Sequence, residues 1–251
     1  KKDKSIPVIM ISGHANVQVA VEAIRLGAYE FVEKPFSSEK LLNYVKRALE
    51  VTNIKKEKDK VENKLFHSFD LIGKSSKVLE IKKIIEKLSA AESRILITGQ
   101  TGTGKELVAR KIHKNSSRAG NPFVVFNAAL LKEKNYEKQL FGEEYANGNI
   151  DYGVLEKANN GTLLLDEVSE IPFELQSNIL RILIDQKFKR INGTKDIYVN
   201  IRIISSTSKD LKKLIEEKKF REDFYHRLNV VPIILPSLQS RTEDIPLLIK
   251  Y

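Results

Sequence analysis

Apolar positions along this chain recur in two alternating spacings, and the alternation predicts an α/β protein. Residues 6–11, Ile-Pro-Val-Ile-Met-Ile, form an almost unbroken apolar run, the mark of a strand buried on both faces, and Ser12-Gly13 stops it. Val17, Ala20, Val21 and Ile24 then fall at helical spacing, and Gly27 closes that helix. Residues 29–32 make a second short strand, followed by Lys34-Pro35-Phe36. Ser37 or Ser38 caps a helix with Leu41, Leu42, Val45, Ala48 and Leu49 on its apolar face. Residues 1–49 are too few elements to close a sheet, so the rest of that domain is expected upstream.

Residues 50–69 break the pattern. From 50 to 66 the chain is highly charged without Gly or Pro, and Ile54, Val61 and Leu65 are spaced by seven and four. Lys58 interrupts that seam, so a linker helix is expected that either dimerises or stays single and solvated. From Asp70 onward the two spacings return. Val78, Ile81, Ile84, Ile85 and Leu88 define an amphipathic helix, and residues 95–98 a buried strand. Leu107, Val108 and Ile112 form a helical stripe, and residues 123–126 are a strand ending at Asn127. Residues 162–165 run into Asp166-Glu167, a helix is expected over 174–184, a strand over 198–205 and a helix over 209–218. A last strand covers 230–235, and another helix starts at Arg241.

Chemistry enters at the strand Ile95-Leu-Ile-Thr98, which leads through Gly99-Gln-Thr-Gly-Thr-Gly104-Lys105 into a helix. Glycines in such a loop let backbone N–H groups converge on a β-phosphate at the positive end of the helix, and Lys105 reaches the β/γ oxygens. The generic motif places Ser or Thr next as a magnesium ligand, whereas here it is Glu106. About 60 residues on, the acids Asp166 and Glu167 end a buried strand. The first is suited to holding Mg²⁺ through water, the second to orienting and deprotonating an attacking water.

Composition narrows the classes. With 41% hydrophobic and 30% charged residues the chain reads as a globular domain, and with no cysteine it offers neither disulfides nor thiolate metal sites, which fits a cytoplasmic protein. No apolar run approaches a membrane span, and no membrane partner is expected. The four histidines, His14, His67, His113 and His226, are too dispersed for a metal site. The net charge of +10 invites a nucleic-acid reading, but only 11 of the 43 basic residues are arginine and the lysines are scattered among glutamates, a solvated surface rather than a groove reader.

Two resemblances join these pieces. Pro7–Gly13, Gly27–Phe31 and Lys34-Pro35-Phe36 resemble the second half of a flavodoxin-like response-regulator receiver domain. The resemblance implies that Ser12 and Phe31 report phosphorylation, that Lys34 pairs with the phosphoryl group before a cis proline, and that the phospho-accepting aspartate lies outside this chain. Residues 70–251 resemble the P-loop AAA+ domain, with its parallel sheet, of NtrC-type response regulators, the bacterial enhancer-binding proteins. That likeness places Ile72 and Gly73 near the adenine. It makes Gly99, Thr101, Gly102, Thr103, Gly104, Lys105, Glu106 and Leu107 the Walker A contacts, with Glu106 usual for the family, and Asp166-Glu167 the Walker B acids. Asn127 matches the asparagine that switches the catalytic glutamate, Ser208 the sensor position where asparagine is common, and Arg221 and Arg227 the arginine-finger segment acting in trans.

One departure shapes the expected function. After Leu140-Phe141-Gly142 the family carries a Gly-Ala-Phe-Thr-Gly-Ala loop that touches sigma-54; residues 143–153 are shorter and lack it, as in NtrX-like members. The resemblance therefore implies an Mg·ATP-binding regulator of transcription that does not engage sigma-54. It also implies a cognate sensor histidine kinase, promoter DNA bound through a domain outside this chain, and self-association as a dimer or ring. A sigma-54-dependent ATPase and a non-catalytic ATP-binding regulator are the alternatives.

Overall fold

The computed structural model describes residues 7–13, 21, 23, 28–39, 41–49, 71–130 and 136–250. The chain divides into two units, Lys1–Phe69 and Asp70–Tyr251. The linker helix expected over 50–66 and most of the helix expected over 16–26 lie outside the described residues.

In the first unit β1 (Ile9–Ser12) pairs in parallel with β2 (Glu30–Glu33), Ile9 opposite Glu30 and Ser12 opposite Glu33. Residues 41–49 are helical. Val32, Ala23 and Ala48 are buried, while Met10, Ile11, Leu42 and Leu49 stay exposed, since two strands and these helical residues cannot cover every apolar side chain. The Lys34–Pro35 peptide is cis.

The second unit is built on a five-stranded parallel sheet of order β11 (Val231–Ile234), β3 (Ile95–Thr98), β10 (Arg202–Thr207), β7 (Thr162–Asp166) and β4 (Phe123–Asn127). Its central strands β3, β10 and β7 are buried at nearly every position because both faces are covered, including the polar Arg202, Ser205, Ser206 and Thr207 of β10. Leu163 and Leu165 point into one core with Phe126, Ile179 and Phe224. Leu164 points into the other with Ile97, Ile112 and Ile204. The second core is closed by α1 (Ser76–Ser89) and α2 (Lys105–Lys114); the first by α5 (Phe173–Asp185) and α7 (Glu222–Leu228), with α3 (Tyr136–Phe141), α4 (Val154–Lys157) and α6 (Leu211–Glu216) beside them. Asp210 caps α6 by accepting from Lys212 N at 3.0 Å.

Two expectations are corrected, and one element was not foreseen. The strand expected over 198–205 is two elements. Ile197–Tyr198 is β9, paired with β8 (Lys187–Phe188), and the sheet strand starts only at Arg202. The break falls at Asn200, whose carbonyl accepts from Asn160 N and Arg118 and whose N–H goes to the Asn159 side chain, so its backbone is not free to join the ladder. The helix expected from Arg241 is a 3-10 segment, Leu238–Asp244, kinked at Arg241, before α8 (Ile245–Ile249). Between Leu140 and Val154 the chain forms a short hairpin, β5 (Gly142–Glu144) with β6 (Ile150–Tyr152), which the apolar pattern did not announce.

Candidate functional site

Parallel strands deliver their loops to one edge, and the motif residues of the second unit meet at the carboxyl ends of β3, β7, β10 and β4. The loop after β3 turns at Gly102 (φ +81°) and Gly104 (φ +99°), both in the left-handed region that glycine permits. A Cβ on Gly99 would come within 2.9 Å of Thr103 Oγ1. Thr103 ties the turn by donating its N–H (3.2 Å) and hydroxyl (2.7 Å) to Gln100 O. Thr101 is exposed and Leu107 packs at the margin of the core.

Lys105 opens α2, only 7% exposed. Its Nζ donates to Gly99 O at 3.1 Å and pairs with Glu167 Oε1 at 2.9 Å, spanning the mouth of the loop. Glu106 turns away along the helix to Arg110 at 2.6 Å, and that guanidinium rests over Phe123.

Each Walker B acid is held from both sides. Asp166 ends β7 opposite Asn127 on β4, and Asn127 Nδ2 donates to its Oδ2 at 2.7 Å; Ser206 of β10 donates to Oδ1. Glu167 has a left-handed backbone (φ +52°) that swings its side chain toward Lys105. Its Oε2 accepts from Ser208 N and Oγ, both at 2.9 Å. Burial pushes the Glu167 carboxyl up, but the bonds from Lys105 and Ser208 outweigh it and hold it below the usual range. Asn127 therefore sits on Asp166 in this structure and not on Glu167, because cross-strand register sets the first contact and the Glu167 backbone removes the second. Ser206 is a site neighbour that sequence reading missed.

At the expected adenine side, Gly73 has φ +148°, and a Cβ there would meet Asp244 Oδ2 at 2.8 Å. Asp244 accepts from Lys74 N (2.6 Å), Ser75 N (2.9 Å) and Ser75 Oγ (2.5 Å), and Arg241, three residues earlier, reaches Thr103 O at 3.4 Å. The 3-10 segment thus fastens the turn beside Ile72 to the phosphate loop. Neither Arg241 nor Asp244 had been singled out.

Arg221 precedes α7 as its N-cap and Arg227 lies in its last turn. The first pairs with Asp223 at 2.7 Å, and its N–H is fixed by Gln176 Oε1 at 2.8 Å; the second is half-buried, its Nε without an acceptor. Neither bonds to Lys105, Asp166 or Glu167 among the described residues. In the first unit, Lys34 N donates to Ser12 O at 2.8 Å, which brings those two residues to adjacent strand ends, while Phe31 lies half-buried opposite Met10.

The donor set suits a nucleotide tail. The glycine turn leaves space where side chains would stand, and a nearly buried ammonium faces it. One carboxylate, Asp166, ends β7 at the same edge of the sheet and is of the chemical type that holds a hard cation. Among the described residues no cluster of three or more His, Cys, Asp or Glu forms a metal cage by itself, and no helix is long and apolar enough to cross a membrane.

Comparison with known proteins agrees with this geometry. The family description "Sigma-54 interaction domain" matches residues 71–234, and "Response regulator receiver domain" matches residues 1–46. The chain is 44% identical over its whole length to the nitrogen assimilation regulatory protein NtrX of Azorhizobium caulinodans, covering 55% of that protein. It is 46% identical to an NtrX-like response regulator of Rickettsia typhi, covering 53%. The crystal structure of Brucella abortus NtrX in complex with ATP superposes with a TM-score of 0.76 at 48% identity, over 98% of this chain and 56% of that one. The chain spans about half the length of the curated relatives it matches. It belongs to the NtrC family of two-component response regulators, as an NtrX-like member.

Proposed function

We propose that this chain is the receiver and ATPase portion of a transcription regulator that binds Mg·ATP between residues 99–105 and the acids at 166–167. The observation that carries the reading is the Lys105–Glu167 ion pair at 2.9 Å across the mouth of the glycine turn. A triphosphate entering there competes for the Lys105 ammonium, and each bond it takes from Glu167 frees a carboxylate oxygen to accept a proton from water. Ser208 keeps the other oxygen in place, so the base is released without being lost. Magnesium would neutralise phosphate charge when bound, and Asp166 is the residue that would hold it. Its two oxygens are fixed by Asn127 and Ser206. Arg221 or Arg227 acts on a neighbouring copy's γ-phosphate in a ring. The ATP complex of Brucella abortus NtrX supports the nucleotide assignment.

The remaining partners follow from family membership: a sensor kinase acting on the receiver, a dimer or ring, and promoter DNA held by a domain outside these residues. Residues 50–69 serve as the linker. Sigma-54 is not engaged. The hairpin that stands where the contact loop would be is closed at Gly142 and Gly153. Its tip is Ala146-Asn147-Gly148, and Tyr145 is tied to Lys138 (2.6 Å) and Asp151 (2.8 Å). A sigma-54 activator is the second reading, favoured by the family match over 71–234. Mixing the intact protein with sigma-54 and an ATP transition-state analogue separates them: no stable complex is expected, and a complex would favour the second reading.

A further inference from the structure

At the opposite end of the sheet, where β3 and β10 begin, a cavity of about 430 Å³ opens among Glu92, Arg94, Arg118, Gln186, Asn200 and Arg202. Three of the chain's 11 arginines line it, against a single carboxylate. Arg202 is the anomaly. It is 2% exposed, and its Nη2 donates to Leu88 O at 2.8 Å, yet Nε and Nη1 are buried without any acceptor. A charged donor left unpaired in a protein interior is costly, and native folds keep one where something neutralises it.

The cavity's own acceptors are already engaged. Glu92 accepts from Ser117 Oγ (3.2 Å) and Arg118 Nε (2.9 Å). Asn200 Oδ1 and O accept from Arg118 (2.7 and 2.9 Å), and Gln186 Oε1 accepts from Ile201 N (3.0 Å). What remains is a surplus of donors. Arg94 gives one nitrogen to Leu183 O at 2.9 Å and has Arg227 as a like-charged neighbour. Burial pushes Arg94 and Arg202 below the ordinary arginine value; the Arg227 charge adds to this at Arg94, whereas at Arg202 the Glu92 carboxylate works against it and Arg118 adds less than Glu92 opposes.

We propose that this cavity binds a phosphate-class oxyanion, free or carried on a small ester, at a site separate from the nucleotide pocket. Guanidinium groups match such an ion through parallel N–H bonds, and the ion supplies the negative charge that the wall lacks, reaching the enclosed Arg202 nitrogens through a shift of that side chain. Its position gives it leverage. Arg94 immediately precedes β3 and Arg202 opens β10, neighbouring strands whose far ends carry the phosphate loop and Ser206–Ser208.

The test uses the full-length protein carrying Lys105→Ala, which disables phosphate binding in the nucleotide pocket. Equilibrium dialysis is run with radiolabelled inorganic phosphate and, in a parallel arm, with glycerol phosphate. One saturable equivalent is expected, weakened at least about tenfold by adding Arg94→Gln and less by Arg94→Lys, which keeps the charge. Tighter uptake of the ester points to an esterified ligand, and tighter uptake of the ion to free phosphate; either supports the site. If the Gln variant melts early, the decisive reading is the melting temperature of the Lys105→Ala protein. It should rise saturably at low phosphate concentration, before general salt exclusion acts, and by less in the protein that also carries Arg94→Lys. Absence of saturable uptake, uptake indifferent to both Arg94 substitutions, or no such rise overturns the proposal.

Discussion

Glu167 shows how much one position is asked to do. Its left-handed backbone costs about 1–2 kcal/mol, offset by the hydrogen bonds it accepts from Ser208 and its ion pair with Lys105. Glu167→Gln keeps the shape and removes the proton acceptor. Hydrolysis should fall about 100-fold or more while nucleotide binding persists, tightened because Lys105 is released. Phosphate release and filter binding on the one variant check both halves. Asp244 makes a pH prediction. Burial pushes its carboxyl up, but Ser75 and the Lys74 and Ser75 amides, with Arg241 nearby, bring it below the usual range. Its stabilisation is therefore full above the unfolded pKa of about 4 and is lost as pH falls through the lower folded value. Asp244→Asn should destabilise by about 1–3 kcal/mol at pH 7 in urea unfolding, a gap that narrows below about pH 4. A gap independent of pH would contradict the assignment. At this scale Lys105, Asp166 and Glu167 were legible because their motifs are contiguous. Ser206, Arg241 and Asp244 were not, since each reaches its partner across 40 residues or more.

Among elements, the strands and helices around the phosphate loop followed from apolar spacing, whereas the hairpin of residues 142–152 did not. Its strands are three residues long and carry Glu, Asp and Tyr, and what closes it is the close approach of two glycines. A Cβ on Gly153 would lie 2.3 Å from Leu140 O, a contact with backbone that no side-chain rotation relieves. Gly153→Ala should thus destabilise by about 1–3 kcal/mol and lower the melting temperature by several degrees, read by circular dichroism. The split between β9 and β10 was equally hidden, because the apolar run continues through Val199 and Ile201 while the backbone bonds at Asn200 decide where the sheet begins.

For the whole molecule, the prediction concerns assembly. Among the described residues neither Arg221, which pairs with Asp223, nor Arg227 bonds to Asp166 or Glu167, so the arginine finger proposed above would be offered by a neighbouring copy, and turnover per chain should rise cooperatively with protein concentration. Flat turnover would instead favour a regulator that binds ATP without using it. The receiver and the sigma-54-type domain were legible through their motif residues, Lys34-Pro35-Phe36 and residues 99–105, and the family matches over 1–46 and 71–234 fall on the same parts of the chain; the linker expected over 50–69 lies outside the described residues.

The most direct test is titration of the full-length protein with labelled ATP and magnesium, beside Lys105→Ala. The geometry predicts one saturable site per chain, magnesium-dependent, and lost when the Lys105 ammonium is removed. Uptake that never saturates, or that is the same in both proteins, would contradict a nucleotide seated between the glycine turn and the acids of β7.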